Sequence, residues 1–115
     1  MTEDKCVAVV TGGAQGIGRR TAELLAERGF ALALIDLRIP EETIRTIEGG
    51  GGKAMGFAGD IADEQIVKRF AGEVLAYFRR ADVLVNNAGI SLISPAGTTS
   101  AQDYRRVLEV NLVAP

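Results

Sequence analysis

Short apolar runs alternate with longer segments of helical period along this chain. Residues 6–10, 31–35 and 83–85 are apolar without interruption, and residues 54–58 form a weaker fourth run. Runs this short, without polar alternation, suit strands covered on both faces, as in a parallel sheet. Between them, residues 17–28 carry Ala22, Leu25 and Ala26 on one face and stop at Gly29, a good helix terminator. Residues 41–48 follow Pro40 and end in the glycine run 49–52. Residues 63–78 space Ile66, Phe70 and Val74 four apart, with Val67 and Phe78 extending the stripe. A last helix is predicted from Ser100, where Asp103 gives capping-box spacing and Tyr104, Val107, Leu108 and Leu112 form the stripe.

The order is thus βαβαβαβα, which predicts an α/β fold with a parallel sheet and helices on both faces. Right-handed crossovers make it doubly wound and Rossmann-like, with strand order 3-2-1-4. No repeat or linker interrupts residues 1–115, which read as one unit. A doubly wound sheet normally continues beyond its fourth strand, and a strand over residues 82–86 would leave an apolar edge. The expectation is an incomplete domain, part of a longer fold or a truncated product.

Composition narrows the chemistry by exclusion. The net charge is −2, and no cluster of Lys and Arg marks a nucleic-acid footprint. The chain has no His, so it cannot supply a Ser-His-Asp or Cys-His relay. Its one cysteine, Cys6, allows neither an internal disulfide nor a multi-thiolate zinc site, and its apolar neighbours predict a small buried hydrophobe. No metal site is expected. The polar, acidic start is unlike a signal peptide, and no apolar stretch nears the roughly 18 residues of a membrane span. A cytoplasmic protein is the natural expectation.

Glycine is where composition becomes informative: 14 of 115 residues are Gly, gathered mainly at 12–18 and 49–52, so they mark particular loops. Thr11-Gly-Gly-Ala-Gln-Gly-Ile-Gly18 joins a strand to a helix. Absent side chains let such a backbone turn sharply and approach a pyrophosphate, whose charge the amides and dipole of the helix start attract. Gly12 is expected at the turn, Gly16 and Gly18 at the close approach. The spacing is not G-x-G-x-x-G, and Arg19-Arg20 stands where a P-loop requires Lys-Ser/Thr. Asp36 ends the second apolar run, 18 residues past Gly18. A carboxylate near that separation accepts hydrogen bonds from adenosine ribose hydroxyls and repels a 2′-phosphate. NAD is therefore preferred, with NADP left open by Arg38.

The glycine motif together with Asn86-Asn-Ala-Gly89 resembles the short-chain dehydrogenase/reductase family, and Asp36, Asp60-Ile61 and Asn111 follow the same pattern in order. The resemblance runs over essentially the whole chain. It implies an NAD(P)-dependent oxidoreductase passing hydride between nicotinamide and an alcohol or ketone. It further implies cofactor contacts from Gly12, Gln15, Gly16, Ile17, Gly18, Asp36 and Leu37. Asp60 would meet the adenine amino group with Ile61 beside the ring, Asn86 would brace the sheet, and Asn87, Ala88 and Gly89 would line the nicotinamide ribose. Asn111 would hold a water in a proton relay; a polar residue on an apolar helix face also has a purely structural reading. A homo-oligomer is the family expectation for the full-length protein. The family's catalytic Ser and Tyr-x-x-x-Lys are not in this sequence: Leu108 follows Tyr104 at the Lys position, and Ala81 follows Tyr77. The 115-residue chain alone is expected to be inactive. The alternative is a truncated, non-catalytic nucleotide-binding or interaction module. A methyltransferase-like binder leaves residues 86–89 and Asn111 without a purpose.

Overall fold

The structure is a computed structural model that describes residues 5–88. It contains β1 (Val7–Thr11), α1 (Gly16–Glu27), β2 (Ala31–Asp36), α2 (Glu41–Gly49), β3 (Ala54–Ala58), α3 (Glu64–Phe78) and β4 (Val83–Val85). The strands form one parallel sheet ordered β3-β2-β1-β4. Val7 pairs with Ala31, Leu32 with Ala54 and Ala8 with Val83.

Strand alternation explains why both faces must be covered. Val7, Ala31, Ala33, Ile35 and Phe57 join Phe70 and Val74 of α3 in one core layer. Their neighbours Ala8, Val10, Leu32, Leu34 and Ala54 meet Ala22 of α1 and Ile47 of α2 in the other. Successive strand side chains point to opposite faces, so an unbroken apolar run feeds two layers at once. Within the α3 layer, the rings of Phe57 and Phe70 lie 5.7 Å apart at 54°.

Helix ends follow local chemistry. Asp63 is the cap of α3 and not its first residue, accepting from the N–H groups of Gln65 and Ile66. Gly29, at φ 94°, lets the chain leave α1 in the left-handed region. Arg79 does the same for α3 at φ 66°, a stop that no glycine announced.

Three further expectations need correction. Cys6 precedes β1 and is exposed, because the buried part of the run begins at Val7. Val67 is 40 % exposed, lying to one side of the Ile66–Phe70–Val74 face. The fourth strand is three residues long, and Asp82 just before it donates its own N–H to the Val7 carbonyl at 2.9 Å. Its carboxylate accepts from the Val7 N–H at 2.8 Å and from the Arg80 guanidinium at 2.8 and 2.9 Å. The Arg80 bond chiefly, and then the Val7 amide, hold this carboxyl below its ordinary range. At the margin of the described sheet, Val83 and Leu84 are 38 % and 59 % exposed. The helix predicted from Ser100 lies outside the described residues.

Candidate functional site

The carboxyl ends of β1, β2 and β4 converge where the order of connections reverses: α1 carries the chain from β1 to β2, and α3 returns it to β4 on the other side. In open α/β sheets this crevice is where ligands bind. The glycine loop fills the β1 end of it.

That loop is tied at four points. The Gly12 N–H donates to the Ile35 carbonyl at 2.8 Å. The Gly12 carbonyl accepts from the Asn87 side-chain amide at 3.2 Å. The Gly13 carbonyl accepts from the Thr43 hydroxyl at 2.8 Å. The Ala14 N–H donates to the Asp36 carboxylate at 2.9 Å. Asp36, with its other oxygen on the Leu37 N–H at 2.7 Å, therefore faces the loop and not away from it.

The glycines divide the work differently from the sequence expectation. Gly12, at φ 72°, is the turn, as anticipated. Gly16, at φ 62°, faces open space: a Cβ built there meets nothing within 4 Å. Gly18 is closely packed on the side where a Cβ would stand. A Cβ on it would overlap the Gly12 carbonyl and the Asn87 amide, so its small size lets α1 seat against the end of β1.

Electrostatics at the start of α1 also set it apart. Gln15 is its N-cap residue and makes no side-chain cap bond, and the first turn holds no acid. By contrast, α2 opens with Glu41 and Glu42, and α3 has Asp63 and Glu64. The leading amides of a helix carry partial positive charge, and here no side chain of the first turn neutralises it. Beside them, Ile17 is 79 % exposed and Leu37 57 %, apolar surface at the mouth of the crevice.

On the far side, Thr11 stitches β1 to the β4 exit. Its hydroxyl oxygen accepts from the Asn87 and Ala88 N–H groups at 3.0 and 2.9 Å and donates to the Val85 carbonyl at 3.4 Å. The bracing amide expected of Asn86 is supplied by Asn87, because Asn86 is exposed while Asn87 turns inward to Gly12. Asp60 folds its carboxylate onto the Ala62 N–H at 2.9 Å just past β3, and Ile61 packs against the α3-side core. Gly89 and Asn111 lie outside the described residues. Among the described residues no cluster of His, Cys, Asp and Glu is arranged to hold a metal ion. No helix there is long and apolar enough to cross a membrane.

Two residues of this arrangement were not singled out by sequence. Thr11 enters the sequence pattern only as the first residue of the glycine motif. The sequence signal for Thr43 is a hydroxyl on the inward face of α2, four residues before buried Ile47.

A family model described as short chain dehydrogenase matches residues 6–115. The chain belongs to the short-chain dehydrogenase family. Among its relatives, D-threitol dehydrogenase of Mycolicibacterium smegmatis is 40% identical over 111 residues, covering 95% of this chain and 43% of that protein. L-2,3-butanediol dehydrogenase of Corynebacterium glutamicum is 41% identical over 110 residues, covering 92% of this chain and 43% of that protein. The chain thus spans less than half the length of these two relatives. A solved metagenomic short-chain oxidoreductase in complex with NADP superposes with a TM-score of 0.89 at 36% identity, covering 96% of this chain and 51% of that one.

Proposed function

We propose that residues 1–115 are the cofactor-binding part of an NAD(P)-dependent short-chain dehydrogenase acting on an alcohol or ketone. The observation that carries this reading is the uncapped start of α1 beside Gly16, an opening with room for an anion and amide dipoles directed at it. These residues fit a dinucleotide diphosphate: a side chain at position 16 would enter the opening, and an acid in the first turn would repel the charge. The named activities of the relatives and the NADP complex of the structural neighbour support the same class.

In this reading Gly12 shapes the turn, and Gln15, Gly16, Ile17 and Gly18 present backbone to the diphosphate. Asp36 orients the adenosine ribose through its hydroxyls, with Leu37 packed alongside. Its negative charge disfavours a 2′-phosphate, so NAD is the preferred cofactor. Asp60 and Ile61 flank the adenine, while Asn87, Ala88 and Gly89 border the nicotinamide ribose. Asn111 assists a proton relay. When bound, the nicotinamide supplies or accepts hydride, and this chain's residues contribute its placement, which lowers a barrier by fixing the approach of reactants.

Proton transfer at the substrate oxygen is assigned to a Ser and a Tyr-Lys pair that residues 1–115 do not contain, so the chain alone is proposed to be inactive. The full-length protein is proposed to be a cytoplasmic homo-oligomer. Titrating the purified chain with NADH and NADPH, followed by nicotinamide fluorescence, tests the binding claim. Saturable binding, tighter for NADH, is expected. No binding of either would remove the assignment, and turnover by the chain alone would remove the claim of inactivity.

A further inference from the structure

We infer that Thr43 is a positioning residue for the cofactor: from α2 it holds the glycine loop in its binding shape. This rests on the dinucleotide reading above and adds a residue to it. Thr43 is fully buried, and its hydroxyl donates to the Gly13 carbonyl at 2.8 Å, joining residues thirty apart in sequence. Gly13 is itself buried, pressed on its other side by Leu34, whose Cδ2 would lie 3.2 Å from a Cβ at that position. Water has little access to the carbonyl there, so the hydroxyl is what satisfies it.

The consequence runs along the backbone. Gly13 sits between the left-handed turn at Gly12 and Ala14, whose N–H meets Asp36. The Gly13 carbonyl and the Ala14 N–H belong to one peptide unit, so Thr43 holds from α2 the same peptide that Asp36 holds from the end of β2, directly after the turn at Gly12. Arg19 binds α2 to α1 independently, through Glu42 at 3.2 Å and Thr46 at 3.3 Å. Helix α2 is thus held beside the loop even when the Thr43 bond is removed. A loop freed at Gly13 must be reordered on binding, and that ordering weakens the apparent affinity.

Two substitutions separate the bond from the packing. Thr43→Val keeps the shape and deletes the hydroxyl, while Thr43→Ser keeps the hydroxyl and deletes a methyl. Dissociation constants for NADH are measured on the 115-residue chain, with backbone amide exchange of the ligand-free chain followed in parallel. The expected result is an affinity about tenfold weaker for Thr43→Val, the scale of one lost hydrogen bond. Amide exchange at residues 14–18 rises with it, while β2 stays protected. Thr43→Ser is expected to bind within about twofold of the parent, because the bond to Gly13 remains. Equal affinity in Thr43→Val and the parent, or equal loss in both variants, would overturn the inference. Failure of the unsubstituted chain to bind would instead overturn the cofactor reading on which it rests. Unchanged loop exchange in Thr43→Val would then refute the positioning role on its own evidence.

Discussion

Replacing Gly18 with Ala places a methyl group where the Gly12 carbonyl and the Asn87 amide already stand. The Asn87 side chain can rotate away, but only by giving up its bond to Gly12. The carbonyl belongs to backbone that is tied through its own N–H to Ile35 and cannot yield without moving the turn. Overpacking of a rigid site costs about 1–3 kcal/mol, and a collision with backbone belongs at the upper end, about 3 kcal/mol. For a domain of this size that lowers the thermal midpoint by about 12 °C, at about 4 °C per kcal/mol. Gly16→Ala is the matched control. It meets no atom, so only the left-handed conformation is penalised, by about 1–2 kcal/mol. Circular dichroism melts of both variants, with an NADH titration of each, read the contrast. Gly18→Ala is expected to lose mainly stability. Gly16→Ala is expected to melt closer to the parent and bind NADH at least about tenfold more weakly, because its methyl enters the anion opening. A Gly18→Ala melt within about 2 °C of the parent would refute the steric reasoning.

Other positions give independent tests. Asp36→Asn removes the charge proposed to disfavour a 2′-phosphate and weakens two charge-assisted bonds; NADH affinity should fall about tenfold and the gap to NADPH narrow, by fluorescence titration. An unchanged preference for NADH contradicts that role. Phe70→Ala removes a buried ring from the α3-side core and should cost about 3–5 kcal/mol in urea denaturation. The Asp82 carboxyl is lowered in the folded chain, first by Arg80 and then by the Val7 amide. Its contribution is therefore complete above about pH 4, the unfolded value, and disappears as pH falls through the lower native value. Urea midpoints of Asp82→Asn should accordingly flatten on the acid side relative to the parent, and parallel curves would show that the pairing is without effect.

The fold was legible because its strands carry unbroken apolar runs, and nothing but two-sided burial accounts for such runs in a chain of ordinary composition. The β-α alternation then left one handedness of crossover and hence the strand order. Boundaries were less visible. Asp63 and Asp82 sit at element ends, where a carboxylate can serve the backbone as well as solvent, and periodicity cannot distinguish these uses. Cys6 looked buried because its neighbours are apolar, yet it falls one residue before the sheet begins. At the site, Gly12 and Asp36 could be placed from spacing alone. The use of Gly18 could not, since a missing side chain serves helix packing and ligand approach equally well in one dimension. Thr43 was legible only in part: its place four residues before Ile47 marks an inward-facing hydroxyl, but its partner, a backbone carbonyl thirty residues away, is encoded by no pattern of side chains.

The amides between Gly12 and Gly18, with the carboxylate of Asp36, are proposed to receive a dinucleotide. Mapping backbone amide chemical shifts during an NAD titration tests it residue by residue. The largest changes are expected at Gly16, Ile17, Gly18 and Leu37, with the amides of α2 beyond Thr46 unmoved. Shifts centred instead on the apolar groove between α3 and β4, around Val67, Leu75 and Leu84, with the glycine loop silent, would contradict the account.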